Sequence, residues 1–290
     1  MKIKELICKE SSFFWSLPAI VWQFLFVVAP AAIVLFFSVA STGDSFSGIR
    51  LTIRNYVELI DPAYFAIMFR SLVLAFATAS TCLLCAYPVA YFLALRARRY
   101  KYVLLFLLTL PFWVNFLVQI YAWFYLLERN GLINMLLLRL RFITEPTQLT
   151  SSQFAIYIVM AYCYLPFMIM PLYTVLEKID RRLLDASADL GANTWQTFTR
   201  ITLPLTMPAI RTGFLLVLVP AFGEFVIPAL LGGGKYMMVG SLISYLFVNA
   251  RNNGAGGAFT YMSGFFLFGI IFLLYMLGRL IKKIIPKGIL

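Results

Sequence analysis

The chain has 290 residues, 62% hydrophobic and 12% charged, with a formal net charge of +12 and no histidine. Its mean hydropathy of +0.88 lies outside the range of soluble domains, so no basic soluble domain exists to carry that charge onto a nucleic acid. The missing histidine removes His-based metal sites and Ser-His or Cys-His nucleophile pairs.

A helix needs about twenty apolar residues to cross ~30 Å of hydrocarbon. Six such runs occur: 17–40, 66–95, 102–127, 154–176, 210–231 and 259–281. They predict an all-α membrane protein, with residues 1–290 forming a single transmembrane domain of six helices. Lys2, Lys4 and Lys9 precede the first run like the basic end of a signal peptide, and Ser38-Val39-Ala40 resembles a cleavage site. The run is roughly twice the usual length of a signal core and holds Pro18 and Pro30, so it reads as a span. In alternate loops, Lys and Arg divide into sets of 16 and 8. The richer set includes both termini and the Arg96–Lys101 cluster, which places the termini in the cytoplasm.

In the second run, Cys82-Leu-Leu-Cys85 has redox spacing but lacks the strand and helix start of a redox motif. Both read as small packing residues. Cys8 and Cys163 complete the cysteines. In the third run, Trp113, Tyr121 and Trp123 suit an interfacial aromatic belt. Trp113, close after Pro111 and near Asn115, also suits a path for an organic cation, which a ring face attracts by ~0.5–2 kcal/mol. The outer segments 43–65 and 128–153 are short. Within them, 131–142 reads as an interfacial amphipathic helix.

Between the fourth and fifth runs lies a polar insert, 183–205, "LLDASADLGANTWQTFTRITLPL". Asp180 is a candidate cap for a helix starting at Arg181, with Asp185 favoured near its positive end. Gly191 suits a left-handed stop. Asn193 and Gln196 have the spacing of a capping box for a second helix, and Pro204 is expected to end it. Leu184, Ala188, Gly191, Trp195 and Phe198 form one apolar stripe. Such a hairpin either lies on the bilayer or docks in a groove of a cytoplasmic partner.

Glu224 is the only acid deep within a run. Burying a charge at the centre of a lone helix costs ~2.5–3.5 kcal/mol, so such residues face a cavity or a partner. Pro220 cannot donate to the Leu216 carbonyl, nor Pro228 to that of Glu224, and Gly223 loosens the turn. A broken helix with free backbone acceptors beside the carboxylate is expected, walled by Phe222 or Phe225. The competing reading is a structural carboxylate paired with a partner subunit. Gly232-Gly-Gly-Lys235 fails as a phosphate loop, because Ala229 and Tyr236 stand where Gly and Ser or Thr are needed. Beyond it, "SLISYLFVNA" is a further short helix candidate.

Asp185-Ala186-Ser187, three residues, Gly191, nine residues, then Ile201-x-Leu203-Pro204 resembles the EAA signature of ABC importer permeases. Asp185 replaces the signature's Glu and Ser187 its second Ala. The stretches 61–65 (DPAYF), 110–123, 164–180 and 223–233 resemble permeases of putrescine/spermidine importers. The resemblance implies a type I importer permease fold with a cytoplasmic coupling-helix loop at about 177–209. It also implies a polyamine path, a second and different permease, and an extracytoplasmic polyamine-binding protein. ATP and Mg²⁺ are then held by a cytoplasmic ABC ATPase dimer, with no cofactor on this chain, in a bacterial inner membrane. A permease for another small solute remains an alternative. An ion-coupled secondary transporter would show inverted repeats and paired intramembrane acids, neither of which the sequence displays. A membrane enzyme lacks its acid–base pair.

Overall fold

The computed structural model describes residues 16–42, 49–97 and 99–284. Lys2, Lys4, Cys8, Lys9, Arg98 and Lys287 lie outside the described residues. In chain order the elements are α1 (Ser16–Val39), β1 (Ala40–Thr42), β2 (Ile49–Leu51), α2 (Arg54–Glu58), α3 (Pro62–Leu95), α4 (Lys101–Trp113), α5 (Phe116–Leu127) and α6 (Leu132–Arg139). They continue with α7 (Gln153–Glu177), α8 (Arg181–Asp189), α9 (Thr194–Phe222), α10 (Val226–Leu231), α11 (Val239–Asn249) and α12 (Asn253–Ile284).

Five single helices are long and apolar enough to cross a membrane: α1, α3, α7, α9 and the Asn253–Met276 part of α12. The third expected run is not one straight helix. Lys101–Trp113 and Phe116–Arg139 meet at a bend of 93°, and counting this pair as one broken span brings the number to six. The fifth run also differs from expectation: its helix starts early, at Thr194, and stops at Phe222. Both short helices foreseen outside the spans are present, as α6 and α11. The antiparallel ribbon pairing Ala40 with Leu51 was not foreseen, since three-residue strands leave no pattern.

Contacts divide the described residues into two compact units. The first comprises those of Met1–Tyr64 and Ile243–Phe268. In hydrocarbon, apolar surface gives helices little reason to associate, so close approach and hydrogen bonds carry the packing. A Cβ on Gly257 would lie 2.7 Å from the Val34 carbonyl oxygen, so only glycine permits this contact between α1 and α12. The Asn55 amide donates to the carbonyls of Ser38 (2.9 Å) and Ala40 (3.3 Å). The hydroxyls of Ser38 and Tyr56 share a bond of 2.8 Å.

The second unit comprises the described residues of Phe65–Leu242 and Gly269–Leu290. Helix α7 buries Met160, Met168, Ile169, Leu172 and Leu176 completely or nearly so. Helix α9 crosses it at Gly213, where a Cβ would meet the Met168 sulfur at 2.8 Å. Polar side chains tie α3 to both. Tyr87 and Thr206 share a 3.0 Å hydrogen bond, Thr81 bonds Tyr157, and the Cys82 thiol donates to the Ala161 carbonyl at 3.3 Å. Cys82 is a buried packing residue; Cys85 is exposed, and both are free thiols.

Candidate functional site

Two helix breaks within the second unit build the site. At the first, Pro111 has no N–H for the turn before it, and Val114 and Asn115 adopt extended ψ angles of 136° and 132°. Asn115 then starts α5, its side-chain oxygen accepting from the Leu117 amide at 2.9 Å. The bend frees carbonyls, and one side chain satisfies them. The Gln119 amide group donates to the Pro111 carbonyl and, at 3.1 Å, to that of Val114.

Beside this bend lies a cavity of about 580 Å³. Its walls include Phe112, Trp113, Phe116, Tyr162, Tyr164 and Phe167, with Asn115 and Gln119 as amides and no charged residue. The Phe112 ring meets that of Phe167 edge-on at 5.0 Å, and Tyr164 lies 6.2 Å from Phe167. Trp113 is 83% exposed at the rim. Trp123 packs edge-on against Tyr162 at 5.3 Å and does not line the cavity. Ring faces of this kind attract organic cations and tolerate methylene chains.

The second break is at Glu224, as the prolines and Gly223 led one to expect. Beside the carboxylate it also presents the first turn of α10, a set of N–H donors that the sequence reading did not include. Glu224 Oε1 accepts from the amides of Phe225 (3.1 Å), Val226 (2.9 Å) and Ile227 (3.4 Å). The positive end of a helix favours an anion there. Oε2 accepts from the Tyr164 hydroxyl at 2.6 Å, and Tyr164 is also a wall of the cavity. Pro228 falls inside the first turn of α10, where a missing N–H costs nothing. Among the described residues Glu224 has no ion pair, so its charge is solvated by dipoles and neutralised by no cation. Phe222, expected as an aromatic wall, is turned into the core at 4% exposure, whereas Phe225 is 47% exposed. Neither lines the cavity.

The start of α11 fixes the Glu224 turn. The Val239 amide donates to Ser71 Oγ at 2.9 Å. Gly240 then sits so close that a Cβ would be 2.2 Å from the Gly223 carbonyl oxygen. Sequence reasoning missed Tyr164, Gln119, Ser71 and Gly240. Only Gln119 carried a signal, as an amide one helical turn after Asn115 within an apolar run.

The polar insert folds as helix, turn, helix. Asp180 caps α8 by accepting from the Arg182 amide at 3.0 Å. Arg181 donates to the Leu95 carbonyl at 3.1 Å, closing the end of α3. Gly191 has φ +82°, and Asn193 and Gln196 form the reciprocal capping box at 2.8 and 2.9 Å. Asp185 and Ala186 are exposed. Ser187 is buried, because its hydroxyl bonds Thr197 across the hairpin at 2.9 Å. Ile201 and Leu203 are half-buried.

Pro204 does not end the second helix. The residues Phe198–Thr202 form a π turn, with the Leu203 amide bonded to the Phe198 carbonyl. This wider turn leaves room for a ring without an N–H, and α9 continues to Phe222. The expected stripe is also divided. Phe198 turns inward, edge-on to Tyr87 at 5.5 Å. Trp195 (70%) remains exposed, together with Leu190 (89%) and Leu183 outside the stripe.

A family model described as "Binding-protein-dependent transport system inner membrane component" matches residues 86–286. Over 264 residues the chain is 40% identical to the spermidine/putrescine transport system permease protein PotB of Escherichia coli (strain K12), covering 90% of this chain and 96% of that protein. Over 263 residues it is 39% identical to the protein of the same name from Haemophilus influenzae, covering 90% and 92%. Among solved structures, a bacterial ABC transporter involved in the import of the acidic polysaccharide alginate matches with a TM-score of 0.68, over 96% of this chain and 99% of that one. Its 19% identity makes that a likeness of fold alone.

Proposed function

The chain belongs to the family of binding-protein-dependent transport system inner membrane components, and from that premise we propose that it forms the path for spermidine and putrescine as a permease subunit of an ABC importer. One observation carries the substrate reading: the Glu224 carboxylate, without a cationic partner among the described residues, stands one hydrogen bond behind an aromatic-walled cavity. An alkylammonium chain offers what this arrangement lacks, positive charge on a slim apolar stem. Trp113 supplies an exposed ring face at the cavity rim, and Phe225 supplies one directly after Glu224 in the chain.

The hairpin of about 177–209 is the coupling element. Ala186, Gly191, Ile201, Leu203 and Pro204 match the signature, Asp185 keeps the charge of its Glu, and Leu183, Leu190 and Trp195 supply the apolar contact to a cytoplasmic ATPase. The ATPase pair holds ATP and Mg²⁺, since Gly232–Lys235 lacks the residues of a phosphate loop. The whole chain acts as one permease domain, with both termini cytoplasmic. It pairs with a second, different permease and receives substrate from an extracytoplasmic binding protein.

The test is ATP-driven uptake of labelled spermidine and putrescine by the complete complex in vesicles. Glu224→Gln keeps the shape and loses the charge, so uptake should fall at least about tenfold, the equivalent of ~1.4 kcal/mol, with assembly and ATPase capacity retained. Normal uptake by a well-assembled Glu224→Gln complex would remove Glu224 from the path.

A further inference from the structure

We infer that Tyr164 is the positioning residue for the Glu224 carboxylate, holding its second oxygen toward the aromatic cavity. The inference rests on the reading of Glu224 given above. Three backbone amides take Oε1, so that oxygen is committed to the start of α10. Oε2 is the free end of the group, and among the described residues its side-chain donor is the Tyr164 hydroxyl at 2.6 Å. Tyr164 belongs to a different helix, 60 residues away in sequence. Its ring is only 8% exposed, packed near Phe167, and forms part of the cavity wall.

One residue therefore touches both halves of the site: Tyr164 lines the cavity and its hydroxyl bonds the carboxylate. The backbone beneath is closely packed, with no room for a Cβ on Gly240 beside the Gly223 carbonyl. The carboxylate's remaining freedom is rotation of Oε2, and the phenol removes it. A hydroxyl suits this task where Lys or Arg would not. It donates one hydrogen bond and leaves the negative charge unneutralised, available to an arriving cation.

Tyr164→Phe keeps the ring and its packing and deletes only the hydroxyl. The experiment compares Tyr164→Phe, Glu224→Gln and the double variant in the complete complex, with saturating spermidine-loaded binding protein. Spermidine transport and ATP hydrolysis are read together, with co-purification and melting temperature as checks on assembly. Tyr164→Phe is expected to lower transport by about tenfold at unchanged melting temperature. The double variant should be no slower than Glu224→Gln alone, because the hydroxyl acts only through the carboxylate; such non-additivity is what a double-mutant cycle detects.

Transport by Tyr164→Phe at the parental rate overturns the inference. So does a double variant slowed by the product of the two single effects, or a Tyr164→Phe complex that fails to assemble, since either makes the hydroxyl an independent or purely structural contact. Normal transport by Glu224→Gln sinks the substrate reading and this inference together. Slow Glu224→Gln beside fast Tyr164→Phe sinks the inference alone.

Discussion

At the scale of single residues, two glycines are required for opposite reasons. Gly191 has open space around it, with nothing within 4 Å of an added Cβ, but its φ is +82°. Gly240 lies within α11, and its added Cβ would be 2.2 Å from the Gly223 carbonyl oxygen. The first position limits backbone conformation and the second limits volume. Gly191→Leu should cost about 1 kcal/mol locally and lower transport while membrane insertion persists. Gly191→Asn should recover much of the loss, since Asn tolerates the left-handed region. Gly240→Ala should cost about 1–3 kcal/mol through overpacking, with no rescue by any larger residue. Melting temperature and transport of the assembled complex measure both. If Gly191→Asn is as impaired as Gly191→Leu, the left-handed requirement is not what the loop needs from glycine.

At the scale of elements, prolines shape this chain through the turns that precede them. The π turns Phe24–Val28 and Phe198–Thr202 each stand immediately before a residue followed by proline, Pro30 and Pro204. Widening the turn accommodates a residue that has no N–H and whose ring crowds the preceding carbonyl. Both helices pass through unbroken. At Pro111 the chain takes the other course and bends, and Gln119 answers the freed carbonyls. Gln119→Leu should therefore lower the melting temperature of the complex, because losing a hydrogen bond to a partly buried carbonyl costs ~1 kcal/mol or more. Gln119→Asn, one methylene too short, should show a similar loss. Unchanged stability in both variants would mean that Pro111 and Asn115 set the bend unaided.

For the whole molecule, the crossing count turns on the bent pair. Arg181, just after α7, reaches the Leu95 carbonyl at the end of α3, and Lys101, at the start of α4, pairs with Glu177 at the end of α7. These ends therefore share one level. Helix α7 is long and apolar enough to cross once, and with it as a crossing α4 to α6 is expected to cross in the opposite sense to bring the chain back. In a cysteine-free background, single cysteines at Tyr100 and Asn193 should react with an impermeant thiol reagent from the cytoplasmic side and one at Glu145 from the other. Labelling of positions 100 and 145 from the same side would make the pair a re-entrant loop.

The spans, the caps at Asp180 and Asn193, the left-handed Gly191 and the break near Glu224 were all legible in the sequence, because apolar run length, capping chemistry and proline geometry act within a few residues. Pro204 misled for the same reason: a local rule forbids it in a regular α-turn, and the chain supplied a π turn instead. The burial of Ser187 and Phe222, the Gly240 contact and the bond from Tyr164 to Glu224 belong to the tertiary structure. Each depends on which helix lies alongside, and residues 60 positions apart announce no such pairing in the order of the chain.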